Sequence, residues 1–241
     1  MKSTNWPKVF PVLSEEQQYI NDDFMKFWHE QLANRKSYRH IEKFNHQYAV
    51  SHAPKNFLTT LEIGAGLGEH FKYEKLSNEQ KRNYVAVELR ENMAQQIREA
   101  HPEIQTIVGD CQEVLPYLAD FFDRILAIHV LEHLPNLPSA IKEMYRLVNK
   151  TSGVFSVVIP CEGGFAYSLA RKISAQRFYE KRYKQPYKYF IEREHINLPH
   201  EIFAELDPYF EIITQQYFPL FVPLVDCNLC IGITFRPRSK I

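Results

Sequence analysis

Leu61-Glu62-Ile63-Gly64-Ala65-Gly66-Leu67-Gly68 is the stretch of this chain whose residue types and spacing say most about chemistry. Alternate glycines let a backbone turn sharply and approach a ligand closely. The stretch ends one expected strand and opens an expected helix, and amides at a helix N-terminus suit a carboxylate or a phosphate. Glu88 stands 20 residues beyond Gly68, at the end of the apolar run Tyr84-Val85-Ala86-Val87. A carboxylate there can accept two hydrogen bonds from ribose hydroxyls. Gly109-Asp110-Cys111 closes a third run with another acid. Open α/β sheets bind ligands at the carboxyl ends of their strands. A loop, an acid and an acid at three consecutive strand ends therefore describe one site.

The elements that must position these residues are short apolar strands alternating with helices. Candidate strands are Phe57–Ile63, Tyr84–Leu89, Ile104–Val108, Phe122–His129, Gly153–Ile159, Phe210–Phe218 and Leu229–Phe235. Helical patterns fall at Glu69–Leu76, Glu91–Ala100, Gln112–Leu118, Leu137–Asn149 and Pro199–Leu206. The alternation predicts an α/β domain around a mostly parallel sheet. No helix separates the last two strands, so they should form an antiparallel hairpin. Residues 1–55 read as a helical cap: Ser14-Glu15-Glu16-Gln17 has capping-box spacing, and Ile20, Phe24, Phe27, Trp28 and Leu32 share one face. Residues 56–241 form the main domain, with an insertion at about 164–198 that fits no core element.

The constellation resembles the class I S-adenosylmethionine-dependent methyltransferases. The spacing is GxGxG, with an acid two residues before the first glycine, whereas NAD-binding domains favour GxGxxG. The fourth strand runs into His129-Val130-Leu131-Glu132-His133-Leu134-Pro135, which is similar to the post-strand motif of many small-molecule members. The resemblance covers residues 57–160 and, more loosely, 198–236. It is specific for superfamily and cofactor, not for substrate. It implies a Rossmann-like seven-stranded sheet with an antiparallel last strand, and S-adenosyl-L-methionine as cofactor. Gly64, Ala65, Gly66 and Gly68 would cradle its methionine part. Glu62 would help hold the amino group, directly or through water. Glu88, with Leu89 beside it, would take the ribose. Asp110 would accept from the adenine amino group, the Cys111 N–H would meet the ring, and His129 would line the sulfonium end.

A sulfonium methyl is already activated, so such an enzyme mainly aligns a nucleophile behind it. A general base helps when the acceptor is a hydroxyl, and histidine is the type to expect near neutrality. His129 and His195 lead as catalytic candidates, followed by His133 and His46. His195 lies just before an expected helix, where related sequences often carry a histidine close to the acceptor. His129-x-x-Glu132-His133 resembles the E-x-x-E-H metal motif of small-RNA 2′-O-methyltransferases, with histidine replacing the first acid. Those enzymes use Mg²⁺, which prefers oxygen ligands, so no metal is expected. Cys227-x-x-Cys230 has no second pair, and residues three apart in a strand face opposite ways, which argues against zinc. The Asp/Asn/Ser-Pro-Pro-aromatic motif of amino-directed DNA methyltransferases is absent from the sequence.

Residues 165–194 carry eight basic residues against three glutamates, and eight aromatics that include Phe178, Tyr179, Tyr183, Tyr187 and Tyr189. Together these could hold a sugar phosphate, a nucleotide-linked sugar, an anionic lipid headgroup or RNA, or form only a solvated charged face. The apolar turn Pro219–Val225 lines the same pocket or belongs to the hairpin core.

Composition sets the outer limits. The chain has 241 residues, 45% apolar and 24% charged, which excludes whole-chain disorder, a collagen-like fibre and a coiled coil. Lys plus Arg and Asp plus Glu are 29 each, so bulk attraction to nucleic acid is not built in. Four cysteines do not make a disulfide scaffold of this size, and MKSTNWPKVF is not a signal peptide. Tyr217–Phe235 is broken by Pro219 and Pro223 and is no membrane span. The expectation is a cytoplasmic methyltransferase acting on an oxygen or nitrogen of a small molecule or glycan precursor. An RNA methyltransferase and a non-catalytic cofactor binder are the alternatives, and no oligomeric state is specified.

Overall fold

Seven strands form one sheet in the order β3-β2-β1-β4-β5-β7-β6. They are β1 (Thr60–Ile63), β2 (Tyr84–Glu88), β3 (Gln105–Val108), β4 (Arg124–Ile128), β5 (Val154–Pro160), β6 (Phe210–Phe218) and β7 (Cys230–Pro237). The first five run parallel, and β7 pairs antiparallel with both neighbours. The computed structural model describes residues 6–33 and 36–239. The side chains of residues 28–37, including Trp28 and Leu32 of the expected N-terminal face, lie outside the described residues.

β1, β2 and β5 are buried along their whole length, because helices cover both faces of the sheet. On one face Leu61, Ile125, Phe155 and Ile233 pack against Ile141 and Leu147 of α5 (Leu137–Leu147) and Ile202 of α9 (Pro199–Leu206). On the other, α4 (Glu91–Ala100) packs Ile97 against Tyr84 and Ala86, and α2 (Lys36–Ser51) packs Tyr48 against Val158 and Cys230. Chain order departs from β1 in opposite directions, to β2 on one side and to β4 on the other. That reversal opens a crevice at the carboxyl edge, where such sheets take ligands.

The N-terminal segment is built into the domain. Ser14 and Gln17 exchange the reciprocal bonds of a capping box ahead of α1 (Glu15–Ala33). Tyr48 of α2 lies flat on Gly232, where a Cβ would come within 2.4 Å of the ring. Its hydroxyl donates to the Thr214 carbonyl at 3.1 Å, and Phe44 stacks on Phe218 at 5.0 Å. α1 reaches the insertion instead, through the fully buried Phe24. Tyr179 and Phe190 meet that ring edge-on at 5.0 and 4.9 Å. The insertion is helical: α6 (Phe165–Arg171), a π-turn (Lys172–Gln176), α7 (Arg177–Tyr183) and α8 (Lys188–Glu194).

Two expected helices differ. Glu69–Leu76 shortens to a 3-10 turn at Glu69–Lys72, followed by the separate α3 (Asn78–Arg82), whose Ser77 caps it. Gln112–Leu118 is not helical. Arg146 takes the carbonyls of Leu115 and Tyr117, and Glu143 takes the Leu115 N–H, so these groups bond to α5 rather than within a helix. Among the described residues no helix is long and apolar enough to cross a membrane.

Candidate active site

The glycine loop leaves β1 with Gly64, Gly66 and Gly68 at φ +62°, +59° and +78°. Gly64 is doubly constrained: side chains rarely adopt this φ, and a Cβ there would lie 2.6 Å from Val130. The Ala65 N–H donates to the Val87 carbonyl at 3.2 Å, which ties the loop to β2. Glu88 is drawn into the same contact. Its carboxylate accepts from the Gly66 N–H and the Arg90 N–H, both at 3.0 Å. The loop opens onto a four-residue 3-10 turn, so the expected helix N-terminus does not supply an anion site here.

Asp110 accepts from the backbone and side-chain amides of Gln112, both at 2.9 Å. Gln112 in turn accepts from the Asn136 N–H at 2.6 Å, joining the loops after β3 and β4. Cys111 is buried, and burial pushes its thiol up to about 12, which removes it as a nucleophile. Leu89 is exposed beside Glu88. A cavity of about 730 Å³ lies between Leu67 of the loop, Asn92 and Met93 at the start of α4, and Asn21 and Met25 of α1. α1 thus roofs part of the carboxyl edge.

Glu62 alternates to the face opposite Leu61 and Ile63. It is 3% exposed and accepts from the Tyr84 hydroxyl at 2.9 Å through one of its two oxygens. Burial raises its carboxyl pKa. Close to it is a buried polar network. Arg124 pairs with Glu74 through two bonds of 2.9 and 3.0 Å, His70 meets Glu74 at 3.0 Å, and His46 meets His70 at 3.3 Å. His46, one of the candidate bases, therefore belongs to this network.

The other candidate histidines gather at the ends of β4 and β5. His129 sits at φ +54° with Nδ1 3.0 Å from Glu132 Oε1. Burial opposes its charge, but hydrogen bonds to Cys230 and Glu132 outweigh burial and raise its pKa to about 10. Glu132 is itself buried. Burial opposes its charge too, but the bond from His129 and the nearby His133 hold its pKa at about 2. His133 Nδ1 is bonded to the Glu194 carbonyl, and burial lowers its pKa. His195 Nδ1 lies 2.8 Å from Glu162, which also pairs with Arg171. The rings of His133 and His195 cross at 5.2 Å and 69°. Asn197 donates to the carbonyls of Leu131 and Leu134 at 2.8 and 2.7 Å, fastening the end of the insertion to the post-β4 turn. His129 and His195 are thus parts of one edge, each paired with its own glutamate. Sequence reasoning missed Glu162. The signal was present: an acid following a strand, before Gly163-Gly164, in the manner of Glu88 and Asp110.

Comparison with known proteins bears on the domain and the fold. Residues 61–156 match the family described as a methyltransferase domain. No curated protein sequence matches the chain. Among solved structures it is similar to an S-adenosylmethionine-dependent methyltransferase of Thermotoga maritima, at 19% identity and TM-score 0.62, over 91% of this chain and 99% of that one. It is also similar to N-methyltransferase NodS of Bradyrhizobium japonicum in complex with S-adenosyl-L-homocysteine, at 13% identity and TM-score 0.61, over 94% and 100%. The [4+2]-cyclase SpnF aligns at 13% identity and TM-score 0.62, over 95% and 99%. The match places a methyltransferase domain at residues 61–156, and the seven-stranded sheet around it is the fold shared with these structures. S-adenosyl-L-methionine is the cofactor of that domain. The residues present fit it: a loop of left-handed glycines that a Cβ would obstruct, beside a strand-end glutamate.

Proposed function

We propose that the chain transfers a methyl group from S-adenosyl-L-methionine to an oxygen or nitrogen of a small molecule or glycan precursor. The fate of the insertion's aromatics carries the choice of acceptor class. Tyr179, Tyr187 and Phe190 are 1%, 5% and 5% exposed, packed on Phe24 rather than displayed for stacking on bases. A basic aromatic arm was the main support for an RNA acceptor, and this packing withdraws three of its eight aromatics while Phe165 and Tyr189 stay exposed. What remains at the carboxyl edge is a compact polar group, Glu132, His133, Glu162 and His195, suited to a small polar acceptor.

The bound cofactor supplies an electrophilic methyl on a sulfonium. Gly64, Ala65, Gly66 and Gly68 would hold its methionine part, Glu88 and Leu89 its ribose, and Asp110 and the Cys111 N–H its adenine. Glu62, already engaged by Tyr84, would act through water or by stiffening β1. His129 would line the sulfonium end. Its pKa, raised against burial to about 10 by Cys230 and Glu132, favours the charged form at neutral pH and speaks against a base role there. His195 is better placed to activate the acceptor. Glu162 fixes its Nδ1–H, leaving Nε2 with a lone pair.

Labelled methyl transfer from S-adenosyl-L-methionine into a fractionated cell extract tests the reading, with Glu88→Ala as control. Label in a small-molecule or glycan fraction supports it. Label in RNA overturns the acceptor class, and no label in any fraction favours a non-catalytic binder. His195→Ala should lower turnover at least tenfold with cofactor affinity unchanged.

A further inference from the structure

We propose that Glu132, His133 and His195 form a binding site for a divalent first-row transition-metal ion. One donor atom from each lies within 4.8 Å of the other two. Glu132 is 1% exposed, and its Oε2 is buried without a hydrogen-bond partner among the described residues. An unpaired buried carboxylate oxygen costs about 1–3 kcal/mol or more, so its persistence beside two imidazoles calls for a ligand.

Both imidazoles carry on Nδ1 an outer partner of the kind a ligating histidine usually has. The Glu194 carbonyl can only accept, so the proton of His133 sits on Nδ1 and Nε2 keeps its lone pair. That Nε2 is 3.9 Å from Glu132 Oε1. His195 has Nδ1 2.8 Å from the Glu162 carboxylate, which fixes the same tautomer. A carbonyl or carboxylate on the far nitrogen is the usual outer support of a ligating histidine. Donors on a tetrahedral ion at about 2.0–2.2 Å sit roughly 3.5 Å apart, so the three must close by only about 1 Å. Asn197 already binds the two segments that carry them.

The donor set selects the ion. Two nitrogens and one carboxylate suit zinc, iron, cobalt or manganese, whereas magnesium and calcium favour an all-oxygen shell. His129 takes no place in the shell, since it faces Glu132 as a hydrogen-bond partner. No metal is expected from the sequence, and the proposed site departs from that expectation on the strength of this donor set. Three protein donors leave at least one coordination position open. For its purpose, holding an acceptor oxygen or nitrogen, the inference rests on the transferase reading; for its existence it does not. With the ion bound the His195 Nε2 lone pair is taken, so His195 acts on the acceptor through the ion rather than as a free base.

The test is titration of the chelator-treated full chain with Co²⁺, without cofactor or acceptor. The expected result is visible d–d absorption saturating at one equivalent. Affinity should fall at least tenfold in Glu132→Gln and in His195→Asn, and about tenfold or more in Glu162→Gln, which alters only the outer support. Cys227→Ser, an exposed thiol, should bind as the wild type does. Thermal melts identify any variant that fails to fold, and the half-buried His195→Asn decides if Glu132→Gln is one. No d–d absorption, thiolate-to-metal charge transfer, or undiminished binding by His195→Asn would overturn the site. A chain that binds Co²⁺ but transfers no methyl overturns the transferase reading alone.

Discussion

Glu88 shows how one carboxylate can serve fold and ligand together. It closes the glycine loop through the Gly66 N–H and the following turn through the Arg90 N–H, and as a strand-end acid it still has lone pairs for two hydroxyls. Burial lowers the pKa of His46 from 6.5 to about 3, helped by His70, so the folded protein keeps it neutral. Burial also opposes the charge on Glu74, but His70 and Arg124 outweigh it and lower its pKa from 4.5 to about 2. Both folded values lie below the unfolded ones. Each group therefore contributes stability that is complete above its unfolded pKa and is lost as pH falls towards its folded pKa. Melting temperature should decline in two stages on acidification, from about pH 6.5 through His46 and His133 and from about pH 4.5 through Glu74 and Glu132. His46→Gln should make the first stage shallower and leave the second. An unchanged slope between pH 6.5 and 4.5 would remove His46 from the account.

At the scale of elements, the fit of α2 to the sheet depends on one glycine. Gly232→Ala would thrust a methyl to within 2.4 Å of the Tyr48 ring. Overpacking of that kind costs about 1–3 kcal/mol, and here the obstacle is a rigid ring held by Thr214 and Thr234. Denaturant unfolding should show a loss of at least that size, and Tyr48→Ala in the same chain should restore part of it. Much of this layer was legible in the sequence: β1, β2 and β5, buried on both faces, read as plain apolar runs, and each expected strand survives with ends moved by a few residues. The failures have physical causes. Gln112–Leu118 has helical spacing, but distant Glu143 and Arg146 take its backbone groups. Glu69–Leu76 is cut short because Glu74 leaves the helical path to meet Arg124, a partner 50 residues away. Glu162 and the orphan oxygen of Glu132 were invisible for the same reason: their significance lies in residues brought together by folding.

Taken whole, the molecule is a sheet whose carboxyl edge is roofed from two directions. α1 and the insertion meet over Phe24, and Asn197 fastens the far end of the insertion to the turn after β4. Truncating the fully buried Phe24 removes the ring on which those aromatics converge. Large-to-small changes of this kind cost about 3–5 kcal/mol. Phe24→Ala should therefore speed proteolysis within residues 164–198 while the sheet's far-ultraviolet signal persists. Loss of the whole fold at once would instead mean that roof and sheet are one cooperative unit.

The central claim is that the carboxyl edge takes S-adenosyl-L-methionine on the glycine loop with Glu88 on its ribose. Calorimetric titration of that cofactor into the wild type and into Glu88→Ala tests it most directly. The account predicts one site in the wild type and affinity at least tenfold weaker in the variant, with the melting temperature of the empty proteins showing that both are folded. No binding by the wild type, or equal affinity in the two folded proteins, would contradict it.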